Sequence, residues 1–205
     1  MNSDKKPYIV GLTGGIACGK TAATDHLQSL GAYVVDADVE SRALTAPGGE
    51  ALPAIREQFG DGVFHEDGTL DRRALGQIVF DDVNCRHALE AIIHPMVQRR
   101  MLAANHEAAK AGEKIVFWSV PLLYETGMDA VCDETWVLTV DHETQLARLM
   151  TRDSLDQAAA EKRIASQMST EERASKGNVV IRTNRTIEQT RQELTSLYRD
   201  LKKRV

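Results

Sequence analysis

Three groups of residues in this chain have types and spacings suited to handling phosphate. The first is Gly14-x-x-x-x-Gly19-Lys20-Thr21 within GLTGGIACGKTAAT. Glycines let successive backbone N–H groups converge on phosphate oxygens, and a helix starting there adds the positive end of its dipole. Lys20 supplies a mobile cation for the β- and γ-phosphates, and the Thr21 hydroxyl suits a Mg²⁺ ligand. The second group is the acidic pair Asp36 and Asp38, closing AYVVDAD. The third is a basic zone holding Arg148, Arg152, Lys162, Arg163, Arg173 and Lys176, with few bulky apolar residues among them. Guanidinium groups fork onto phosphate oxygens and offset spreading negative charge. A phosphate grip, a carboxylate and mobile cations are the parts that phosphoryl transfer needs, because that reaction asks mainly for positioning and charge stabilisation.

These residues must be held by a scaffold, and the pattern of apolar runs supplies one. YIVGLT from Tyr8 reads as a buried strand leading into the glycine loop, and a helical pattern through Ala22, Leu27 and Leu30 follows, ended by Gly31. AYVVDAD is a second strand; KIVFWSVP from Lys114, ETWVLTV from Glu134 and NVVIRT from Asn178 are further ones, with helical patterns between them. Strand, helix, strand repeated in this way predicts a parallel sheet with helices on both faces. On a regular strand Asp36 and Asp38 share one face. Each has two readings, as a group that orients an acceptor hydroxyl or a metal, or as the cap of the next helix.

Residues 39–112 exceed what a simple crossover requires. Helical patterns around EALPAIREQF, DRRALGQIVF and CRHALEAIIHPMVQRRMLAANHEAAKAG predict a helical insertion at the ligand-binding edge of the sheet. Pro95 is expected to split the last of these helices near His94. Ser169 with Glu172, and Thr186 with Gln189, have the spacing of helix capping boxes.

Taken in order, GLTGGIACGKT, VVDADVESR, DGTLDRRALGQIVF, LEAIIHP, VPLLYE, KRIASQ and VVIRTN resemble the signatures of the dephospho-coenzyme A kinase family, across nearly the whole chain. The resemblance implies a P-loop NTPase-type three-layer α/β/α fold with five parallel strands in the order 2-3-1-4-5. It also implies a helical substrate-binding insertion and a small helical lid. Its divisions fall at 1–38 and 113–147 for the core, 39–112 for the acceptor insertion, 148–175 for the lid, and 176–205 for the last strand and helix. The implied activity is ATP-dependent phosphorylation of the ribose 3′-hydroxyl of dephospho-CoA, with ATP and Mg²⁺ as cofactors. Asp38 then matches the catalytic base, with Lys20 and Arg152 beside it in catalysis. Gly15, Ile16, Ala17, Cys18, Gly19, Lys20, Thr21 and Arg163 match the ATP site, Thr21 also the metal contact. Arg42, Arg72, His94, Leu122, Leu123 and Glu125 join Asp38 at the acceptor site. His94 beside Pro95 and Arg72 beside Asp71 also admit purely structural readings, as a helix end and a solvated first turn. So do Arg148 and Arg152, one helical turn apart, as surface ion pairs instead of a mobile basic lid.

Some residues depart from the family pattern. Ala17 and Cys18 replace the commoner Gly-Ser, Ser119 stands where many relatives place aspartate, and Asn178 stands where an acid is common. Alanine tolerates positive φ less well than glycine, so Ala17 is expected in an ordinary backbone conformation. Cys18 is either a small stand-in for serine or a low-pKa thiol beside Lys20 and a helix N-terminus, alkylatable when empty and shielded by ATP.

The bulk numbers exclude other classes. The 205 residues are 42% hydrophobic and 27% charged, with a net charge of -5, which disfavours non-specific nucleic-acid binding. Cys18, Cys85 and Cys132 form no CxxC pair, so neither a disulfide framework nor a zinc site is expected, and a reducing cytoplasmic setting fits. No run is long enough to span a membrane or act as a signal peptide. The expected partners are small molecules, to a monomer or weak homo-oligomer. Two rivals remain at this level. A nucleoside or nucleoside-monophosphate kinase has a smaller acceptor that leaves the insertion unexplained, and a non-catalytic nucleotide switch does not require Asp38, Arg152 and Arg163.

Overall fold

The apolar run at the start forms β1 (Tyr8–Gly14), buried from Ile9 onward. It pairs in parallel with β3 (Ile115–Ser119) on one side and β4 (Glu134–Thr139) on the other, in registers Val10–Phe117 and Leu12–Trp136. Both neighbours are buried throughout, as strands covered on two faces by helices must be. β5 (Val179–Arg182) adds to β4, and β2 (Tyr33–Asp36) completes the order β2-β3-β1-β4-β5. The expected five-stranded parallel arrangement is therefore present. The structure is a computed structural model and describes residues 6–205.

The chain divides into two compact units, one of residues up to Val35 with Asn105–Val205, the other Asp36–Ala104. In the first, the core gathers Val10, Leu12, Leu27, Phe117, Trp136, Leu138 and Ile181 with Leu194, Tyr198 and Leu201. Phe117 meets the edges of Trp136 and Tyr198 at centroid distances of 5.2 and 5.6 Å, a geometry that aromatic quadrupoles favour. Helix α1 (Lys20–Ser29) starts directly after Gly19, whose φ of 86° is freely available only to glycine. Helix α9 (Ile187–Arg204) opens on the reciprocal Thr186–Gln189 box that the sequence predicts.

The second unit holds α2 (Ala37–Leu44), α3 (Leu52–Phe59), α4 (Arg72–Asp81) and most of α5 (Val83–Lys110). Two expectations fail here. Strand β2 stops at Asp36, so Asp36 and Asp38 do not share a strand face. Asp36 caps α2, accepting the N–H groups of Asp38 and Val39 at 2.9 and 3.3 Å, and Asp38 lies on the first helical turn. Helix α5 also runs unbroken through Pro95. The proline and Ala91, whose carbonyl loses its helical donor, are both exposed, so water can satisfy the carbonyl. Val97, Met101, Asn105 and Ala108 meanwhile bury one continuous stripe of the helix.

In the first unit, α6 (His142–Asp153), α7 (Gln157–Ala165) and α8 (Thr170–Lys176) carry the basic zone, capped by Asp141, Asp156 and Ser169. Among the described residues no helix is long and apolar enough to cross a membrane.

Candidate active site

The loop between β1 and α1 presents Gly15, Ile16, Ala17, Cys18 and Gly19 before Lys20 and Thr21 enter the helix. Ala17 has φ 59°, in the left-handed region, contrary to the ordinary conformation expected of it. The loop is held there from outside. Gln145 on α6 donates Nε2 to Ile16 O at 2.8 Å, and Gln167, after α7, accepts the Ile16 N–H through Oε1 at 2.8 Å. Thr183, after β5, donates its hydroxyl to Cys18 O at 3.0 Å. Arg148 donates to the Thr183 hydroxyl at 3.2 Å and to its carbonyl at 2.7 Å. That guanidinium is thus engaged at the end of the sheet, not free to move with a lid.

Cys18 overturns the reactive-thiol expectation. It is 1% exposed, and burial pushes its thiol up to about 11 despite the opposing fields of Arg173 and Arg148. Desolvation of a thiolate outweighs nearby cations here, which supports the plain reading of Cys18 as a small packing residue. Lys20 reaches the sheet edge, donating Nζ to Ser119 Oγ at 2.7 Å. Ser119 thus offers the lysine a neutral acceptor. Thr21 is exposed at the start of α1.

The remaining expected residues of this unit fall into two places. Arg152 and Arg163 converge on one carboxylate: Arg152 Nε and Arg163 Nη1 each lie 2.7 Å from an oxygen of Asp153. Arg152 holds the Asp153 carboxyl below its usual range by hydrogen bond and charge, with Arg163 adding to both. Both guanidiniums stay about half exposed, available to an anion stronger than one aspartate. In the turn after β3, Leu122 is half-buried and its carbonyl accepts from Thr126, while Leu123 is fully buried against Gly11. The Leu123 side chain is therefore part of the core. Glu125 pairs with Arg173 at 2.9 Å.

In the second unit, Arg72 and His94 line one cavity of about 270 Å³, with Glu90, Ser41 and Thr45 at its polar side and Leu75 among its apolar residues. Arg72 Nη2 donates to Thr45 O at 3.1 Å from the first turn of α4, which Asp71 caps. Asp38 and Arg42 are exposed on α2 and are not among the cavity's lining. Among the described residues no cluster of three His, Cys, Asp or Glu could hold a metal.

Sequence reasoning missed Gln145, Gln167 and Thr183 as loop supports and Arg173 as a buried ion. No local signal marks them, since each partner lies 48 or more residues away in sequence.

Comparison with known proteins identifies the family. The model of the family described as dephospho-CoA kinase matches residues 8–189. The dephospho-CoA kinase of Symbiobacterium thermophilum is 44% identical over 191 residues, covering 93% of this chain and 80% of that protein. That of Geobacter metallireducens is 42% identical over 192 residues, covering 94% and 96%. The dephospho-CoA kinase structure from Campylobacter jejuni superposes with a TM-score of 0.72 at 26% identity, covering 95% of this chain and 97% of that one. With the phosphate loop, its supports and the paired arginines in place, these matches mean that the chain belongs to the dephospho-CoA kinase family.

Proposed function

We propose that this chain transfers the γ-phosphoryl group of ATP to the ribose 3′-hydroxyl of dephospho-CoA, giving CoA and ADP as the last step of CoA synthesis. The observation that carries the reading is the phosphate loop, built on β1 and α1 in a chain whose family is known by this reaction. The loop's N–H groups and Lys20 hold the phosphate tail. Thr21 would help hold Mg²⁺, which would supply charge neutralisation when bound. Residues 39–112 take the acceptor, with Arg72 and His94 on its phosphates and Asp38 and Arg42 near the reacting end. Asp38 orients the 3′-hydroxyl. As the bond from the ribose oxygen to the γ-phosphorus forms and the bond to the β-phosphate oxygen breaks, Asp38 takes the hydroxyl proton. It need not be a strong base, because the transition state is loose and proton removal comes late. The lid expected at residues 148–175 closes without the Arg148 guanidinium, which stays on Thr183: Arg152 and Arg163 leave Asp153 for the phosphates, and closure excludes water as a competing acceptor.

The test is ADP release in the presence of dephospho-CoA, AMP, adenosine or no acceptor. Stimulation by dephospho-CoA alone is expected. Stimulation by AMP or adenosine assigns a nucleoside or nucleotide kinase, and ATP binding without turnover on any acceptor assigns a switch. Asp38→Asn is expected to abolish most turnover while ATP affinity stays; unchanged turnover removes Asp38 from the chemistry.

A further inference from the structure

We propose that Gln145 and Thr183 are positioning residues that aim the N–H groups of the phosphate loop, an inference resting on the reading of that loop as the ATP phosphate site. In a trans peptide the carbonyl and the N–H point in opposite directions, and this chain has no cis bonds among the described residues. Ile16 O shares its peptide plane with the Ala17 N–H, and Cys18 O shares its plane with the Gly19 N–H. Gln145 holds the first carbonyl and Thr183 the second, at 2.8 and 3.0 Å. Fastening each carbonyl turns the N–H of the same peptide plane away from its tether. Neither N–H donates to a protein acceptor among the described residues, so both remain for an anion.

The supports are built for this. Gln145 and Thr183 are 4% and 5% exposed, so water cannot substitute for them. Both are neutral and add no charge that competes with or repels a phosphate. Arg148 donates to the Thr183 hydroxyl, which leaves the hydroxyl proton for Cys18 O, shared with Thr139 O at 3.2 Å. Gln167 takes the Ile16 N–H, and the Cys18 N–H donates to Gly15 O at 3.1 Å within the loop. Gly15 makes room for the arrangement, since a Cβ there would lie 3.2 Å from Gln145 Nε2. The left-handed backbone of Ala17 sits between the two tethered carbonyls, which fixes a conformation that alanine does not choose by itself.

The experiment uses the full chain with Thr183→Val, Thr183→Ser and Gln145→Met, and reads tripolyphosphate binding by calorimetry, the KM of each substrate and melting temperature. Losing one aimed donor is expected to weaken tripolyphosphate binding and raise the KM for ATP about tenfold in Thr183→Val and Gln145→Met. The KM for dephospho-CoA stays within about twofold, and Thr183→Ser, which keeps the hydroxyl, returns near the parent values. Equal binding by Thr183→Val, loss in Thr183→Ser as large as in Thr183→Val, or a parallel rise of both KM values with lowered melting overturns the proposal. If Gln145→Met does not fold, the Thr183 pair decides alone. A parent chain that binds neither tripolyphosphate nor ATP refutes the reading of the loop itself, a result distinct from failure of the tethers.

Discussion

Replacing Glu125 by alanine separates a structural role from an acceptor-binding one. Arg173 is 1% exposed at its side chain, its Nη2 lies 2.9 Å from Glu125 Oε1, and its Nη1 donates to Pro121 O at 3.0 Å. Among the described residues its Nε has no hydrogen-bond partner. Glu125 is thus the charge partner of an ion that water does not reach. Breaking a fully buried pair from one side costs about 3–5 kcal/mol, because the remaining ion is left uncompensated. Glu125 is 26% exposed, so solvent screens part of the interaction and the lower value of about 2–3 kcal/mol applies. For a chain of this size that is a fall in melting temperature of about 5–10 °C. Thermal unfolding followed by circular dichroism, without substrates, measures it. Glu125→Gln keeps an acceptor and should fall about half as far. Arg173→Met added to Glu125→Ala should recover most of the loss, since removing both charges leaves no buried ion. A Glu125→Ala variant melting within about 1 °C of the parent refutes this reasoning, and a raised KM for dephospho-CoA at that point would return Glu125 to the acceptor site.

Gly11→Ala places a methyl 2.8 Å from both Cys132 Sγ and Leu123 Cδ2, and should cost about 1–3 kcal/mol by urea unfolding. Adding Cys132→Ala should recover part of that, and full additivity would show that the clash is elsewhere. The Cys18 thiol, raised by burial from 9.0 to about 11, stays protonated in the fold after it would ionise in the unfolded chain. The stability it contributes is therefore complete below pH 9 and is lost as pH rises to about 11, so Cys18→Ser should flatten the fall in unfolding free energy across that window. An unchanged slope would show that Cys18 does not titrate there. Lys20→Ala should lower kcat about 10²–10³-fold in the ADP-release assay, the scale of a preorganised charge removed from a transition state. A change within about tenfold would mean that Lys20 does not touch the transferred phosphate.

Strands and helices were legible wherever one segment's own pattern decides the outcome. YIVGLT has nowhere to go but a buried strand, and Thr186 with Gln189 carries its helix start in four residues. Pro95 was misread because the rule about proline is local, whereas the helix is retained by a stripe from Val97 to Ala108 that begins beyond it. At the acidic pair the cap reading of Asp36 holds and only the end of the strand was misplaced, for a related reason. A strand extended two residues too far puts Asp36 and Asp38 on one face, but an aspartate before a helical pattern is also a cap, and its bonds to the Asp38 and Val39 N–H groups end the strand.

The phosphate loop shows where reading from sequence stops in physical terms. The identities of the expected gripping groups follow from Gly19, Lys20 and Thr21, which supply the turn, the cation and the hydroxyl. The departures at Ala17 and Cys18 cannot be judged from the same stretch. A left-handed alanine costs about 1–2 kcal/mol by itself, more than the loop's own bonds need supply, provided the carbonyls on either side are fastened from elsewhere. They are fastened by Gln145 and Thr183, which lie 129 and 165 residues from their partners. Cys18 likewise looks activated by its neighbours in sequence and is silenced by its neighbours in space. Whether an atypical residue disables a phosphate loop is therefore decided by the side chains behind it: with the tethers present, Ala17 and Cys18 leave the gripping groups in place.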